Sequence, residues 1–396
     1  MHEVCHREGD LAPAATPERS FADDPQPPPI LGGVIDTHVQ PGFLGLGQDT
    51  ARTIALRSAQ TGRLQRTLLI HGPAGAGKST FVDDLLSLLF CTDADVARRP
   101  CNACRGCRLA RSHAHPDLVI GSPERWRDEK STGESIVSVA RRWLLASAGA
   151  PVAGERRVIL IEHADLAGEA VQNALLKALE EPGERQMFIL LADEPGRLLP
   201  TIRSRAQPMR IGAVARPELV AWLMDRERLP ADQADALARI AGGLAGRAIG
   251  FARTPELVDW RRRTQQELLD LLDRGTADRF ASIRDLLDAA SRVTAVAPLG
   301  EDEVLSSAAQ RGAAILVIDA WLDLGRDLLM VRAGRPDIAP SAEFLTGLEG
   351  TAKRIAQAEL MACMAKLERI REGLLQNAAP KLAMEVGMLA WPSTRG

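Results

Sequence analysis

Eight consecutive residues in the first quarter of the chain have the composition of a phosphate-binding loop. Residues 72–79 read GPAGAGKS and match the pattern G-x-x-x-x-G-K-[ST], between the apolar run TLLIH and the helical run STFVDDLLSLLF. In this pattern the glycines let backbone N–H groups face phosphate oxygens, and the lysine reaches the β- and γ-phosphates. The serine hydroxyl adds a ligand for Mg²⁺. The flanking strand and helix argue against a chance glycine turn. The predicted nucleotide-binding residues of this loop are Gly72, Pro73, Gly75, Gly77, Lys78, Ser79 and Thr80.

An acidic residue at the end of a neighbouring strand is the second part of such a site. In VILIEHAD, Glu162 follows four apolar residues and is the predicted residue on the Mg²⁺ side. A water-activating carboxylate is expected at the next position, which is His163, and Asp165 is the nearest substitute. The sequence therefore predicts bound ATP or ADP with Mg²⁺, and weak or absent hydrolysis by this chain alone.

Four of the six cysteines are crowded into 17 residues and indicate a metal site. They have the spacing C-x₉-C-x₂-C-x₂-C, which lets one loop wrap a tetrahedral Zn²⁺ ion with no open coordination position. The predicted ligands are Cys91, Cys101, Cys104 and Cys107. An iron–sulfur cluster is the alternative occupant. His113 and His115 could replace one ligand, although surface histidines are the simpler interpretation. Cys5 is predicted to be an incidental thiol and Cys363 a core residue.

Length and composition indicate a multidomain globular protein. The chain has 396 residues, which favours two or three domains, and 45% apolar with 26% charged residues is ordinary for a globular fold. The net charge of −3 excludes a globally basic nucleic-acid coat. No run of 18 apolar residues occurs and the charged N-terminus lacks a signal-peptide core, so a cytoplasmic location is expected.

Apolar runs divide the chain into an α/β part and a helical part. Residues 1–40 are rich in Pro, Asp and Gly and are predicted to be a mobile extension. Residues 41–213 contain five short apolar runs, TLLIHG, DLVIG, RVILIE, MFILLA and MRIG, with helical patterns between them. This order predicts a parallel sheet covered by helices on both faces.

The remaining residues show helical periodicity only. Residues 214–255 are predicted to form a small helical lid and residues 256–396 an all-α domain. The clearest patterns in the second part are residues 313–331 and a long pattern from about residue 341 to residue 375. A helical bundle is the predicted arrangement.

The order of these motifs resembles the bacterial clamp-loader subunits of DNA polymerase III, delta-prime and gamma/tau. A phosphate-loop helix runs into the four-cysteine knuckle, followed by HPDL, IEHAD and NALLKALEEP. The resemblance is close over residues 42–212, and QNAAPKLAMEVGML at residues 376–389 looks like the family's last collar helices. It implies an AAA+ domain with a zinc knuckle inserted at residues 91–107, then a lid and a collar through which subunits assemble.

Within this family the pattern is closer to delta-prime, because Glu162 and His163 stand where gamma/tau has a carboxylate pair. The segment TIRSR matches the family's Ser-Arg-Cys motif apart from Ala206. The resemblance thus implies that Arg205 is an arginine finger for a neighbouring subunit. An ordinary exposed arginine is the alternative. Two nucleotide-sensing positions differ from active members. The first falls at Ala192, flanked by Asp193, and the second at Gly246, with Arg247 one place late.

The resemblance implies a delta-prime-like subunit that helps the ATP-dependent loading of a sliding clamp onto primed DNA. The implied partners are gamma/tau and delta subunits, the sliding clamp and primer-template DNA, with Asn173 and Lys177 as candidates for phosphate contact. Three alternatives remain open at this point. They are a gamma/tau-type motor, an unrelated P-loop ATPase with a zinc docking module, and a scaffold that binds no nucleotide.

Overall fold

The structure, a computed structural model, describes residues 42–294, 307–342 and 345–393. The predicted extension at residues 1–40, with Cys5, lies outside the described residues. No helix among the residues described combines the length and the apolar character that crossing a membrane requires.

Five parallel strands form one sheet in the N-terminal part of the described chain. They are β1 (Thr67–His71), β2 (Leu118–Gly121), β3 (Arg157–Ile161), β4 (Gln186–Ala192) and β5 (Gln207–Arg210). Their order across the sheet is β2-β3-β4-β1-β5, and every neighbouring pair is parallel. Strands β1 to β4 lie within the predicted apolar runs or overlap them by all but one residue, whereas β5 shares only Met209 and Arg210 with the predicted run MRIG. The order places the end of β1 between the ends of β4 and β5, so the carboxyl ends of these strands form one edge.

Helices cover both faces of the sheet. They are α1 (Asp49–Gln60), α2 (Lys78–Phe90), α3 (Arg105–Arg111), α4 (Pro123–Asp128), α5 (Ile136–Ser147), α6 (Glu169–Glu180) and α7 (Pro200–Arg205), and short 3-10 turns lie at Val96–Arg98, Ala164–Leu166 and Pro195–Arg197. Because side chains alternate along a strand, Leu68 and Ile70 pack with α2 while Leu69 packs on the opposite face with α6. Buried apolar residues on both faces explain why the strands read as continuous apolar runs.

The helices that follow the sheet have two further apolar cores. Helices α8 (Arg216–Arg226), α9 (Ala231–Ile240) and α10 (Ala245–Arg253) share one cluster. The other cluster joins the C-terminal bundle, which comprises α11 (Pro255–Leu272), α12 (Thr276–Ala281), α13 (Ile283–Thr294), α14 (Ser307–Arg332), α15 (Leu348–Arg354), α16 (Gln357–Leu375) and α17 (Pro380–Ala390), with a 3-10 turn at Pro336–Ile338. Cys363 is buried in that cluster, as predicted. The fold class is thus confirmed: a parallel α/β part followed by a mostly helical part. The predicted domain boundaries stay predictions.

The long helical pattern from residue 341 to residue 375 is two helices rather than one. Helix α15 begins only after Gly347, whose φ of 84° is left-handed. It ends before Ile355, which is extended and buried in the core. The apolar period continues through the break because both helices and the connecting residue pack against the same cluster.

Candidate functional site

The predicted phosphate loop connects the carboxyl end of β1 to the N-terminus of α2. Its glycines have the left-handed or strained backbone that the tight turn needs, with φ of 77° at Gly75 and 96° at Gly77. Gly72 is also constrained by space, because a Cβ there would lie 1.8 Å from the carbonyl oxygen of Ile211. The loop therefore has the backbone that its sequence predicts, with the α2 N-terminus directed at the place where phosphates would lie.

The ammonium group of Lys78 lies against the loop, where it contacts backbone carbonyl oxygens and a carboxylate. Its Nζ donates hydrogen bonds to the carbonyl oxygens of Gly72 (2.8 Å) and Pro73 (2.9 Å) and forms an ion pair with Asp193 at 2.6 Å. Asp193 directly follows β4. The pKa of His71, at the end of β1, is lowered by burial and by the positive charges of Arg210 and Lys78. A ligand phosphate that binds Lys78 must therefore displace the Asp193 carboxylate from the ammonium group.

The predicted acidic residues lie at the same edge of the sheet but have different tasks. Glu162 directly follows β3, and its backbone N–H donates to Gly121 at the end of β2 (2.9 Å). His163 has a left-handed φ of 49°. The buried Asp165 carboxylate accepts N–H groups of Asp193 (3.1 Å) and Glu194 (2.9 Å), and burial raises its pKa. Asp165 thus holds the backbone that carries Asp193, which argues against its use as the water-activating carboxylate.

The two predicted sensing positions both lie beside the loop. Ala192 ends β4 and is buried without a polar side chain. Gly246 and Arg247 are in the first turn of α10, and both backbone N–H groups donate to the Gly75 carbonyl oxygen, at 2.8 and 3.3 Å. The Arg247 side chain turns away to Asp323 on α14 and lies over the Phe251 ring. The register of α10 thus brings the backbone to the loop and sends the guanidinium to the C-terminal bundle.

The loop opens into a cavity of about 660 Å³ whose far wall belongs to the C-terminal bundle. The near wall is residues 71–75 and 193–195, and the far wall includes Asp319, Asp323 and Arg371 on α14 and α16. Sequence analysis missed this contribution. One signal was available, since Asp319 and Asp323 are carboxylates in an otherwise apolar helical run and a buried carboxylate needs a cationic partner.

The four predicted metal ligands converge. The sulfur atoms of Cys91, Cys101, Cys104 and Cys107 all lie within 4.8 Å of one another, which permits a single tetrahedral ion. Backbone N–H groups of Thr92 and Cys107 donate to the Cys104 sulfur at 3.5 and 3.4 Å. Burial raises the pKa of Cys104, but these hydrogen bonds outweigh it and lower that pKa to about 6. This cluster could hold a metal, and a thiolate is already favoured at one of its positions.

The two histidines beyond the knuckle are not equivalent. His113 is exposed and its ring nitrogen lies 2.7 Å from Asp83, in line with the prediction of a surface histidine. The same prediction for His115 is wrong, because this ring is buried and stacks on Phe90 with centroids 3.8 Å apart. Phe90 ends α2, so the stacking joins that helix to the segment that enters β2. Among the described residues the four-cysteine cluster contains neither histidine.

Arg205 is the last residue of α7 and is exposed. Its guanidinium donates to the Thr201 carbonyl oxygen (3.0 Å) and forms an ion pair with Glu180 at the end of α6 (2.9 Å). Asn173 and Lys177 are exposed on the same helix α6. The structure thus brings Arg205 near the end of α6 and leaves it accessible to another molecule.

Comparison with known proteins finds that part of this chain is similar to subunits of DNA polymerase III. A family model described as DNA polymerase III, delta subunit, matches residues 47–215, which is less than half of the chain. The delta-prime subunit of DNA polymerase III from Pseudomonas aeruginosa is 34% identical over 195 residues, or 48% of this chain and 57% of the relative. The Escherichia coli K12 delta-prime subunit is 32% identical over 194 residues, or 49% and 56%. The gamma/tau subunit of Mycobacterium tuberculosis H37Rv is 32% identical over 168 residues, or 42% and 28%.

The matches cover only part of each protein. The chain spans a little over half the length of the two delta-prime relatives. Among solved structures, the Thermotoga maritima RuvB Holliday junction branch migration motor is 20% identical, covering 56% of this chain and 65% of that one, with a TM-score of 0.35.

Proposed function

We propose that this chain is a delta-prime-like clamp-loader subunit, because a family model described as DNA polymerase III, delta subunit, matches residues 47–215 and the similar proteins include delta-prime subunits. In this role it helps the ATP-dependent loading of a sliding clamp onto primed DNA. Its proposed partners are gamma/tau and delta subunits, the sliding clamp and primer-template DNA. The supporting observation is that the matched segment contains the phosphate loop, the four-cysteine cluster and Arg205 on one fold.

We propose that the loop binds ATP or ADP with Mg²⁺. The N–H groups of the loop and of the α2 N-terminus would hold the phosphates, Lys78 would contact the β- and γ-phosphates, and Ser79 and Glu162 would face Mg²⁺. Bound nucleotide would supply a phosphoanhydride bond and several negative charges. The turnover of that bond by this chain would be poor, because His163 stands at the water-activating position and Asp165 is engaged by backbone N–H groups.

The four-cysteine cluster is proposed to hold a structural Zn²⁺ ion. Four thiolates fill a tetrahedral coordination shell and leave no position for substrate, so the ion would stabilise the knuckle rather than act in chemistry. Cys107 is at the core of this arrangement: it is fully buried and its sulfur lies 3.5 Å from the Ser87 carbonyl oxygen of α2. The knuckle would thereby fix the position of the helix that begins at the phosphate loop.

Arg205 is proposed to act on a neighbouring subunit's nucleotide. An exposed guanidinium at the end of a short helix can reach another molecule, and a positive charge beside a transferring phosphoryl group stabilises the charge that develops there. The ion pair with Glu180 would keep the side chain ordered until the neighbour docks. Exposed pairs of this kind contribute little to stability, so exchanging Glu180 for a phosphate would cost little.

The test is the DNA- and clamp-stimulated ATPase of the complex reconstituted with gamma/tau and delta partners. We expect Arg205→Ala to reduce the rate by two orders of magnitude or more, roughly as for other arginine fingers, and Lys78→Ala to have little effect. Arg203→Ala, on the same short exposed helix, is the matched control and should leave the rate unchanged.

The opposite result would identify the alternative function. If Lys78→Ala abolished the ATPase and Arg205→Ala did not, this chain would be a gamma/tau-type motor. If neither substitution had an effect although the complex assembled, the arginine-finger proposal would be wrong. The alternative of an unrelated P-loop ATPase with a docking module is less well supported, because the family match favours a subunit of DNA polymerase III.

A further inference from the structure

Two cationic side chains beside the phosphate loop, Lys78 and Arg247, are already paired with carboxylates. Lys78 pairs with Asp193 on the sheet edge, and Arg247 pairs with Asp323 on α14 of the C-terminal bundle. The first pair is local to the nucleotide-binding fold. The second joins the loop region to a helix that the sequence match does not include, since the match ends at residue 215. Asp323 therefore brings a distant part of the chain into the phosphate site.

Asp323 is the common partner of arginines from three helices. Besides Arg247 of α10, it accepts from Arg261 of α11, whose Nη2 is 3.0 Å away, and from Arg326 one turn along α14, whose Nη1 is 2.8 Å away. The Asp323 side chain is only 10% exposed. Arg247 contacts it with both terminal nitrogens, one of them at 3.2 Å. This is the bidentate geometry with which a guanidinium also binds phosphate.

Arg247 is close enough to the loop to serve a phosphate instead. Its backbone N–H bonds the Gly75 carbonyl oxygen, and a Cβ placed on Gly75 would lie 3.2 Å from the Arg247 Cβ. Arg247 and residues 72–75 line the same cavity. The exchange of the carboxylate for a phosphate would require the Arg247 guanidinium to turn from Asp323 toward the loop.

The far wall of the cavity has charges of both signs. Asp319, Asp323 and Glu368 line it, and so do Arg261, Arg326 and Arg371. Arg371 pairs with Asp319 at 2.6 Å, while Arg261 and Arg326 share Asp323 with Arg247. Each carboxylate that faces the cavity repels a phosphate more strongly there than in water. The carboxylate that holds Arg247 thus both removes a phosphate-binding cation and adds a negative charge.

We infer that Asp323 competes with the phosphates of a bound nucleotide for Arg247, so that the C-terminal bundle lowers the affinity of this chain for its own nucleotide. The inference rests on the proposed nucleotide site and adds its regulation. It makes Asp323 a positioning residue, because it acts through Arg247. A purely structural Asp323, which only fastens α10 to α14, would not set nucleotide affinity through Arg247.

The experiment is a binding titration of the full chain with fluorescent N-methylanthraniloyl-ADP and Mg²⁺. Asp323→Asn is expected to tighten binding by about tenfold, because it frees Arg247 and removes one charge. In an Arg247→Ala background the same substitution should give at most a small part of that gain. Asp337→Asn is the matched control, since Asp337 is an exposed carboxylate paired with Arg335, and it should leave the Kd unchanged.

The outcomes separate this inference from the proposed nucleotide site. Unchanged or weaker binding by Asp323→Asn, with binding still abolished by Lys78→Ala, would overturn the inference alone. A full gain in the Arg247→Ala background would also overturn it, because the field of Asp323 and not Arg247 would then be responsible. Equal binding by Lys78→Ala and the wild type, or no binding by any variant, would refute the nucleotide site and the inference together. If Asp323→Asn has a much lower melting temperature than the wild type, Asp323→Ser is used in its place, because its hydroxyl can still accept a hydrogen bond from Arg261.

Discussion

The ionisation of the four cysteines in the knuckle depends on how close their sulfur atoms are to one another. Four thiols within 4.8 Å of one another would repel as free thiolates, so a cation is the group that lets all of them ionise. Burial raises the pKa of Cys363 to about 12, although the charge of Lys366 opposes the shift, and this keeps the thiol neutral and makes it a poor metal ligand. The contrast between Cys104 and Cys363 gives a residue-scale test with an internal reference.

We expect Cys104→Ser to lose the metal and to lower the melting temperature of the chain. A serine hydroxyl does not ionise near neutral pH, so the substitution leaves three thiolates and weakens the coordination shell. Zinc per chain, measured by plasma mass spectrometry after gel filtration, should fall from about one for the wild type to well below one. Cys363→Ala should keep its zinc, because its sulfur is in the bundle core. Equal zinc in Cys104→Ser and the wild type would contradict the proposed site.

Site residues were predictable where their chemistry depends on local spacing. The phosphate loop and the four cysteines are set by short intervals in sequence, and the structure brings each set together. The partners of Asp323 were not predictable, because Arg247 and Arg261 are 76 and 62 residues away from it in sequence. His115 failed for a related reason. Its stacking on Phe90 depends on how the whole knuckle folds back on α2.

At the scale of elements, one carboxylate fixes the connection between β2 and β3. Asp117, just before β2, is fully buried and accepts N–H groups of Val152, Ala153 (2.9 Å) and Gly154 (2.6 Å). Those residues precede β3, which pairs directly with β2. Burial opposes the charge on Asp117, but the three N–H groups, together with the charge of His115, lower its pKa. The HPDL segment therefore has a structural task in addition to its value as a family motif.

Asp117→Asn is expected to destabilise the fold by about 1–3 kcal/mol at pH 7, because an amide cannot accept at both positions. The pKa of Asp117 is lower in the folded chain than in the unfolded one, so its contribution is present above the ordinary aspartate pKa of about 3.9. It is lost as the pH falls through the folded value. Urea denaturation should thus show a constant gap between the wild type and Asp117→Asn from about pH 7 to pH 5, shrinking below about pH 4.

The control for this prediction is Asp337→Asn, which removes an exposed carboxylate from its pair with Arg335 and should leave the denaturation curve unchanged. A gap of the same size at pH 3 as at pH 7 would mean that the shape of the side chain matters and its charge does not.

Helices and strands were predictable from the sequence where a single element accounts for each apolar pattern. The central strands β1, β3 and β4 are buried on both faces, and each appears in the sequence as a short apolar run. The break between α15 and α16 was hidden, because Ile355 continues the apolar period while its backbone is extended. Periodicity reports which residues face the core, and it does not report whether the backbone between them is helical.

At the scale of the whole molecule, ion pairs connect the C-terminal bundle to the part of the chain that contains the phosphate loop. Arg197, in the turn after β4, forms an ion pair with Glu372 of α16 at 2.5 Å, and Arg247 forms one with Asp323 of α14. Arg247 and Asp323 line the cavity beside the phosphate loop. If subunits assemble through this bundle, as the family resemblance implies, these ion pairs would couple the position of a neighbouring subunit to the proposed nucleotide site.

The bundle also exposes large apolar side chains that its own core does not use. Met361 on α16 and Leu382 and Leu389 on α17 are 56%, 59% and 56% exposed. When a partner protein covers such apolar surface, the burial contributes about 25 cal/mol per Å² to the free energy of association. We therefore expect the combined variant Met361→Glu, Leu382→Glu and Leu389→Glu to enter the complex with gamma/tau and delta partners much less well than the wild type.

The measurement is the fraction of chain that co-elutes with its partners in gel filtration at equal concentrations. Since the three side chains are exposed, their replacement should change the melting temperature of the isolated chain little, and a large drop in co-elution would then report a lost interface. Leu145→Glu, at a position on α5 that is 77% exposed, is the control for adding charge outside the bundle and should still co-elute. Full co-elution of the combined variant would place the assembly surface elsewhere on the chain, and the ion pairs of Arg197 and Arg247 would then serve the fold of this chain alone.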